Sequence, residues 1–497
     1  MLFNSYEFIF AFLPATLAIF YFLGRLEQRN LAIAFLSLAS VFFYAWWNPV
    51  YIFLILGEVV FSFHVGRQLE RTDLPNAMRR LLLTGAVAFI LLVLGYFKYA
   101  NFFLGIVNDA AGTEWSLGLI ILPLGISFHT FQQIAYLVHA YQRSAKHYRF
   151  IDFCLFVTFF PQLIAGPIVH HYEAIPQIAR PGFLRPRAVN LLVGLSLFGL
   201  GLFKKTVIAD SLAQIATPVF AAAQGGAELT FVEAWFGALG YSLQLYFDFS
   251  AYSDMALGLA RMFNIRFPAN FHSPYKAVNI ADFWRRWHIT LSRFLRDFLY
   301  IPLGGNRRGN LRQLSNLMIT MLLGGLWHGA GWTFIVWGGL HGAYLVVHRL
   351  WSRLAGAHGI TMPKPLAWIL TMLAVVVAWV YFRAPDIGVA HSILASMFGG
   401  EGVGFKTPNL APLPLKGWPI ILAAALVATL APNSNEILGR YRPTLTLPTL
   451  PRRLLGRFER YLQWRPTPAW ALISGVVATA GIIAILGWQS EFLYFQF

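Results

Sequence analysis

The sequence predicts an all-α polytopic membrane protein, with about 11–12 transmembrane helices plus re-entrant and interfacial helices. Three observations carry that expectation. Apolar residues make up 57% of the 497 residues and charged residues only 12%, where a soluble chain carries about 25% charge. Several runs, among them Leu81–Phe97, Leu366–Phe382 and Trp470–Trp488, hold no charge and approach the ~20 apolar residues that cross a bilayer. A soluble core helix would show one polar face, and these show none. Finally, the loops between apolar runs alternate between basic and nearly bare.

The apolar runs fall near residues 8–24, 31–47, 51–66, 81–97, 117–138, 188–210, 231–260, 316–328, 333–348, 366–382, 418–431 and 470–488. No basic segment precedes Phe8–Leu23, which reads as a retained span and not as a cleaved signal. The basic loops are Arg25/Arg29, Arg67–Arg80, Arg143–Arg149, Arg180–Arg187, Arg261–Arg312, Arg349–Lys364 and Arg440–Arg465. The nearly bare ones are Asn48–Val50, Asn101–Ser116, Ser211–Thr230, Gly329–Trp332 and the stretch after Trp488, and Arg383–Lys416 is also thin in charge. The two sets alternate after every span provided that Ile151–Val169 dips in and returns on the basic side. Pro161, Gly166 and Pro167 suit such a re-entrant turn; a short kinked span is the other reading. The positive-inside rule then makes the basic side cytoplasmic and both termini periplasmic. Lys204 and Lys205 sit near the outward end of their span, where lysines can snorkel to headgroups.

The formal net charge of +17 is spread over short loops, a footprint of topology and lipid headgroups and not of nucleic-acid binding. The single cysteine, Cys154, excludes an internal disulfide or a thiolate metal cluster. Residues 1–497 read as one integral-membrane domain, with no repeat or soluble module. The block 263–314 is too polar to cross and too long for a linker. Within it Asn279 and Asp282 read as an N-cap and an acidic first turn. Phe283, Trp284, Trp287, Leu291, Leu295 and Phe298 then recur at helical spacing between arginines, as on one amphipathic helix lying in the interface.

Ionisable groups at membrane depth cost ~2.5–3.5 kcal/mol each, so each needs a reason. His328, in Gly324-Gly-Leu-Trp-His-Gly-Ala-Gly-Trp332, closes an apolar run among glycines that let backbone or substrate approach. A neutral imidazole there suits a general base, and a core histidine bonded to a carbonyl suits the spacing equally. Asp248, Tyr252 and Asp254 lie in one helical run, the first two on one face. The carboxylates would orient a base, hold a proton or pair with the Arg285/Arg286 region. His288 sits where an interfacial helix could feed a buried site. His341 and His348 share a helix but have no third ligand at metal spacing, so no metal is expected. No ATP or dinucleotide fingerprint is present.

Four runs resemble the signature of the membrane-bound O-acyltransferase family: Tyr246-Phe-Asp-Phe-Ser-Ala-Tyr-Ser-Asp-Met-Ala256, Asn270-Phe-His-Ser-Pro-Tyr275, Asp282-Phe-Trp-Arg-Arg-Trp-His-Ile-Thr-Leu-Ser292 and Leu326-Trp-His-Gly-Ala-Gly331. Pro123-Leu-Gly-Ile-Ser-Phe-His-Thr-Phe131, Phe160-Pro-Gln-Leu-Ile-Ala-Gly-Pro167 and the terminal Tyr-Phe-Gln-Phe resemble its alginate O-acetyltransferase branch. That branch also holds acetylases of cellulose and peptidoglycan and a relative that handles D-alanine on teichoic acid. The resemblance covers nearly the whole chain, with residues 231–348 as the motif core. It implies a helix bundle around a central tunnel, with His328 as the catalytic histidine and His288 as the second active-site position. Trp327, Asp248, Tyr252 and Asp254 would support them.

A thioester already carries the activation that an ester needs, so such an enzyme must mainly align a hydroxyl and remove its proton. A general base contributes roughly 10²–10⁴-fold. The expected donor is acetyl-CoA or an acyl-carrier thioester, used as a substrate with no bound cofactor. Arg285, Arg286, Arg307 and Arg308 would attract its phosphate, or lipid headgroups. No outward loop is large enough to grip a polymer, which implies a separate periplasmic or membrane-anchored acetyltransferase partner that serves an exported, alginate-like polysaccharide. The expected location is the bacterial inner membrane. A secondary transporter would also have buried His and Asp, but no symmetric halves are visible. A non-catalytic scaffold would leave His328 dispensable.

Overall fold

The computed structural model describes residues 1–144, 147–399, 402–407, 410, 414–446, 462–487 and 492–493, and all regular structure among them is helical. Lys146, Trp488, the middle of the basic stretch Arg440–Arg465 and the terminal Tyr-Phe-Gln-Phe motif lie outside the described residues.

The chain opens with α1 (Glu7–Arg25), α2 (Arg29–Ala45) and α3 (Tyr51–Glu70). These match the first three apolar runs. The next helix, α4 (Asn76–Ala111), is 36 residues long. The expected loop over Asn101–Ser116 is therefore helical up to Ala111, because no proline interrupts the sequence before Gly112, which ends the helix in the left-handed region at φ 65°. Conversely, the apolar run 117–138 is helical only in its second half. The chain is irregular until Gly125, and α5 (Ile126–Tyr141) has 16 residues, of which 13 are buried. Gly125, at φ 72°, lies so close to the Leu163 carbonyl that a Cβ would meet it at 2.5 Å.

The nine residues of α6 (Phe150–Thr158) rise about 14 Å, well short of the ~30 Å hydrocarbon core. The helix breaks at Phe159, and the chain turns through Phe160–Leu163 and Gly166 before α7 (His171–Ile178). That is the shape of a re-entrant segment, and Phe159 through His171 are buried throughout.

A single 37-residue run, α8 (Ala188–Gln224), passes through a π-helical turn at Lys204–Ala209. The expected loop from Ser211 is thus helical to Gln224, and the two lysines lie inside the helix, not at its end. The following α9 (Phe231–Met262) starts at a capping box in which Thr230 and Glu233 satisfy each other's backbone N–H. Every residue of α9 from Gly240 to Met262 is buried. The α8–α9 contact is made by small residues: a Cβ on Gly194 would come within 2.6 Å of the Gly258 carbonyl, and one on Gly201 within 2.7 Å of the Ala251 carbonyl.

The block 263–314 departs most from expectation. Asn279 does cap a helix, its Oδ1 accepting from the Asp282 N–H at 2.7 Å, but α10 (Ile280–Trp284) ends after five residues and α11 (Ile289–Leu295) begins anew. The break is His288, at φ 42° and ψ 53°. The expected single interfacial helix is therefore two short pieces, with Phe283, Trp287 and Leu291 in the core.

Next come α12 (Asn310–His328) and α13 (Trp332–Ala357), crossing at Gly325 and Gly338, whose Cα atoms are near contact. They are followed by α14 (Lys364–Arg383), α15 (Ile387–Met397), α16 (Pro414–Thr429) and α17 (Pro468–Ala484). The expected loop Arg383–Lys416 thus contains α15, capped by Asp386 with its Oδ1 2.9 Å from the Val389 N–H. Among the described residues, five stretches are long and apolar enough to cross a membrane: α1, α3, α4, α8 and α14.

Candidate active site

Two imidazoles meet at the centre of the bundle. His328 ends α12 and His288 precedes α11, and their ring centroids are 6.5 Å apart with both side chains buried. The glycines of the His328 motif act in packing. Gly325 lets α13 cross against α12, while Gly329 lies under the Phe334 ring. The end of α12 is held from α4: Lys98 Nζ donates to the carbonyls of Trp327 at 2.5 Å and His328 at 3.1 Å, and Tyr99 donates to Leu326 at 2.9 Å. A cation at a helix C-terminus is favourable for both its charge and its hydrogen bonds. Sequence reasoning missed Lys98, which directly follows the charge-free run Leu81–Phe97. Trp327 stacks on Phe131 at 5.2 Å, and His328 is ringed by Trp327, Trp337 and Phe382 at 4.9–5.2 Å.

The tautomer of His288 follows from its neighbours. Asn270 Oδ1 lies 2.8 Å from Thr290 Oγ1 and 3.4 Å from the Thr290 N–H, so it is an acceptor there. The same oxygen is 3.0 Å from His288 Nδ1. Nδ1 therefore carries the proton and donates, which leaves the Nε2 lone pair available. Nε2 is buried and has no hydrogen-bond partner among the described residues. The left-handed backbone at His288 costs about 1–2 kcal/mol for a residue with a Cβ, and such strain clusters at functional sites. Neither Asn270 nor this strain is visible in residue spacing.

A narrow cleft of about 10 Å³ opens beside His328, lined by Asp248 and Phe249 of α9, Trp287, His328, Trp379 and the C-terminal Phe492 and Leu493, among others. Asp248 accepts from the Leu493 N–H at 2.9 Å, so it anchors the C-terminal segment at the cleft. Tyr252 is sandwiched between Phe3 and Phe492 at 4.7 and 4.4 Å and stands behind the lining.

The acidic residues find different partners from those expected. Lys205 lies 2.7 Å from Asp210 and 2.9 Å from Asp248, and Lys204 lies 2.9 Å from Asp254, which also accepts from Ser434. The lysines thus turn inward to carboxylates and do not snorkel. Arg285 and Arg286 are not available to α9, because both lie on Asp282, at 3.6 and 3.0 Å. Arg286 is buried in that pair, while Arg307 and Arg308 are exposed on the turn before α12. His341 is buried among Trp284, Trp337 and Trp379.

This fold and this pair of histidines define a class. The model of the membrane-bound O-acyltransferase family matches residues 121–384; the chain belongs to that family and is a multi-pass, membrane-embedded O-acyltransferase. It is 47% identical over 432 residues to a peptidoglycan O-acetyltransferase of Helicobacter pylori, covering 81% of each chain. It is 39% identical to a probable alginate O-acetylase of Pseudomonas aeruginosa, covering the whole of both. A teichoic acid D-alanyltransferase of Streptococcus thermophilus is 29% identical over 46% of this chain and 57% of its own.

Proposed function

We propose that this enzyme passes an acetyl group from a cytoplasmic thioester, acetyl-CoA or an acyl carrier, across the bacterial inner membrane for the O-acetylation of an exported polysaccharide. The likeness to probable alginate O-acetylases over the full length supports an alginate-like polymer. The 47% identity to a peptidoglycan O-acetyltransferase favours peptidoglycan as the second reading. A periplasmic or membrane-anchored partner completes delivery, and the alternation of basic and bare loops supports periplasmic termini.

The observation that carries the reading is the juxtaposition of buried His328 and His288, their ring centroids 6.5 Å apart, with His328 lining the cleft. His328 removes the proton from an acceptor hydroxyl as its oxygen attacks the thioester carbonyl. A C–O bond forms, the C–S bond breaks, and the proton passes from His328 to the departing thiolate. His288 is a positioning residue: its Nε2 lone pair accepts a hydrogen bond from the acceptor and holds it in line, a role its bond to Asn270 prepares. Within the membrane's low dielectric such alignment needs no reorganisation of water.

His328→Ala tests this. Polymer acetyl content should fall by roughly 10²–10⁴-fold while the membrane level by immunoblot stays that of the wild type. Normal acetylation by the well-expressed variant would refute the assignment. His288→Ala should raise the acceptor KM more than it lowers kcat, and Asn270→Ala should reproduce part of that effect.

A further inference from the structure

A second built cavity lies on the arginine-bearing side, between the end of α9, the start of α8 and the turn that follows α7. It has a volume of about 110 Å³ and is lined by Arg180, Arg187, Arg261 and Arg266 together with Asn190 and Asn264. The four arginines come from two regions far apart in sequence, residues 180–187 and the end of α9 with the turn after it, and no carboxylate lies within ion-pair distance of any of them among the described residues. Two acids of the preceding helices are committed elsewhere: Glu173 receives Arg293 at 2.6 Å and Asp152 receives Arg29 at 3.4 Å.

Four guanidiniums do not crowd together without a counter-charge unless something holds them. Here a network of neutral side chains does. Asn264, in the left-handed region at φ 61°, donates to the carbonyls of Phe183 and Arg185 at 2.9 and 2.8 Å and accepts from Asn190 at 2.6 Å. Gln177 accepts from the Arg266 N–H at 3.0 Å and donates to its carbonyl at 2.9 Å. These bonds fix the backbone that carries the arginines and leave the guanidiniums themselves largely unoccupied. Arg261 is 5% exposed; its Nη2 donates to the Tyr441 carbonyl at 3.3 Å, while its buried Nε has no partner among the described residues. Burial, followed by the charges of Arg180, Arg442 and Arg187, pulls the Arg266 pKa below its usual range. An anion in the cavity would relieve both the repulsion and the unsatisfied donors.

We propose that this arginine basin binds a phosphate group, carried either by a soluble phosphate ester or by the headgroup of an anionic phospholipid. Planar guanidiniums are the side chains that grip phosphate in bidentate pairs, and basic pockets between helices on the cytoplasmic side recognise lipid headgroups by the same chemistry. The site differs from Arg285, Arg286, Arg307 and Arg308 and does not depend on the roles of the two histidines.

The test uses the full chain in neutral detergent, with coenzyme A as the soluble ester and phosphatidylglycerol as the lipid, each titrated while thermal unfolding is followed. At least one should stabilise the wild type and yield a Kd. Arg187→Gln with Arg266→Gln should weaken that Kd by about tenfold or more, while Arg71→Gln, at an exposed arginine paired with Asp73, should leave it unchanged. Stabilisation by coenzyme A alone identifies a soluble ester, and by phosphatidylglycerol alone a headgroup. Failure of both on the wild type, or equal stabilisation of the double variant, overturns the proposal. Should the double variant not fold, Arg266→Lys keeps the charge but loses the bidentate fork, and an unchanged Kd there would likewise overturn it.

Discussion

The helices α4 and α9 are similar in length, 36 and 32 residues, yet they solve opposite problems. In α4 only Arg79, Ala86, Ile90 and Leu94 are buried, and residues such as Phe89, Leu91 and Leu92 point away from the protein. In α9 nearly everything is buried, including Asp248, Ser250, Ser253 and Asp254. α4 is apolar enough to rank among the possible membrane-crossing helices, and α9 is not. A helix that faces lipid has to be apolar because lipid offers no hydrogen-bond partners. A helix surrounded by other helices can carry ions, because its neighbours supply the counter-charges. The buried polar inventory therefore concentrates where hydropathy is weakest as a membrane signal.

Five substitutions probe that contrast, beginning with the largest effect. Asp248→Ala removes one carboxylate from Lys205 and the acceptor of the Leu493 N–H, and should destabilise by about 3–5 kcal/mol. Fluorescence-detected size exclusion after heating would read the loss. Asp248→Asn, which keeps that acceptor, should be less damaging; equal damage would mean that the charge alone matters. On α4, Leu92 is 72% exposed, and Leu92→Asp should cost about 2.5–3.5 kcal/mol of membrane insertion, visible as reduced membrane yield. A normal yield would place that face against protein or water and break the comparison.

Lys98→Met keeps the side-chain length but removes the donors to Trp327 and His328, for an expected loss of about 1–3 kcal/mol. Because those carbonyls end the helix that carries His328, kcat should fall in this variant while donor KM stays near the wild-type value. The smallest effect belongs to Leu92→Ala, which changes only a lipid-facing side chain and should shift thermostability by less than about 0.5 kcal/mol. A larger loss would show that α4 packs on a partner through that face.

The membrane class, most helix positions, the Asn279 cap and, through family motifs, the two histidines that the fold brings together can all be read from the sequence. These are legible because each depends on composition or on residues close in sequence: apolar run length, an oxygen three residues from an N–H, a motif in order. Partner choice is different. A lysine inside an apolar run bears the same insertion cost whether it snorkels or pairs, so only the fold could send Lys204 to Asp254, 50 residues away. The periodicity of 283–298 fits one amphipathic helix, and only packing against Asn270 and Thr290 shows the chain breaking there to turn His288 inward. Likewise the arginines of 180–187 and 261–266 read as two ordinary basic loops. The tertiary structure alone gathers them around one cavity, because electrostatic sites depend on distance in space, to which hydropathy and spacing are blind.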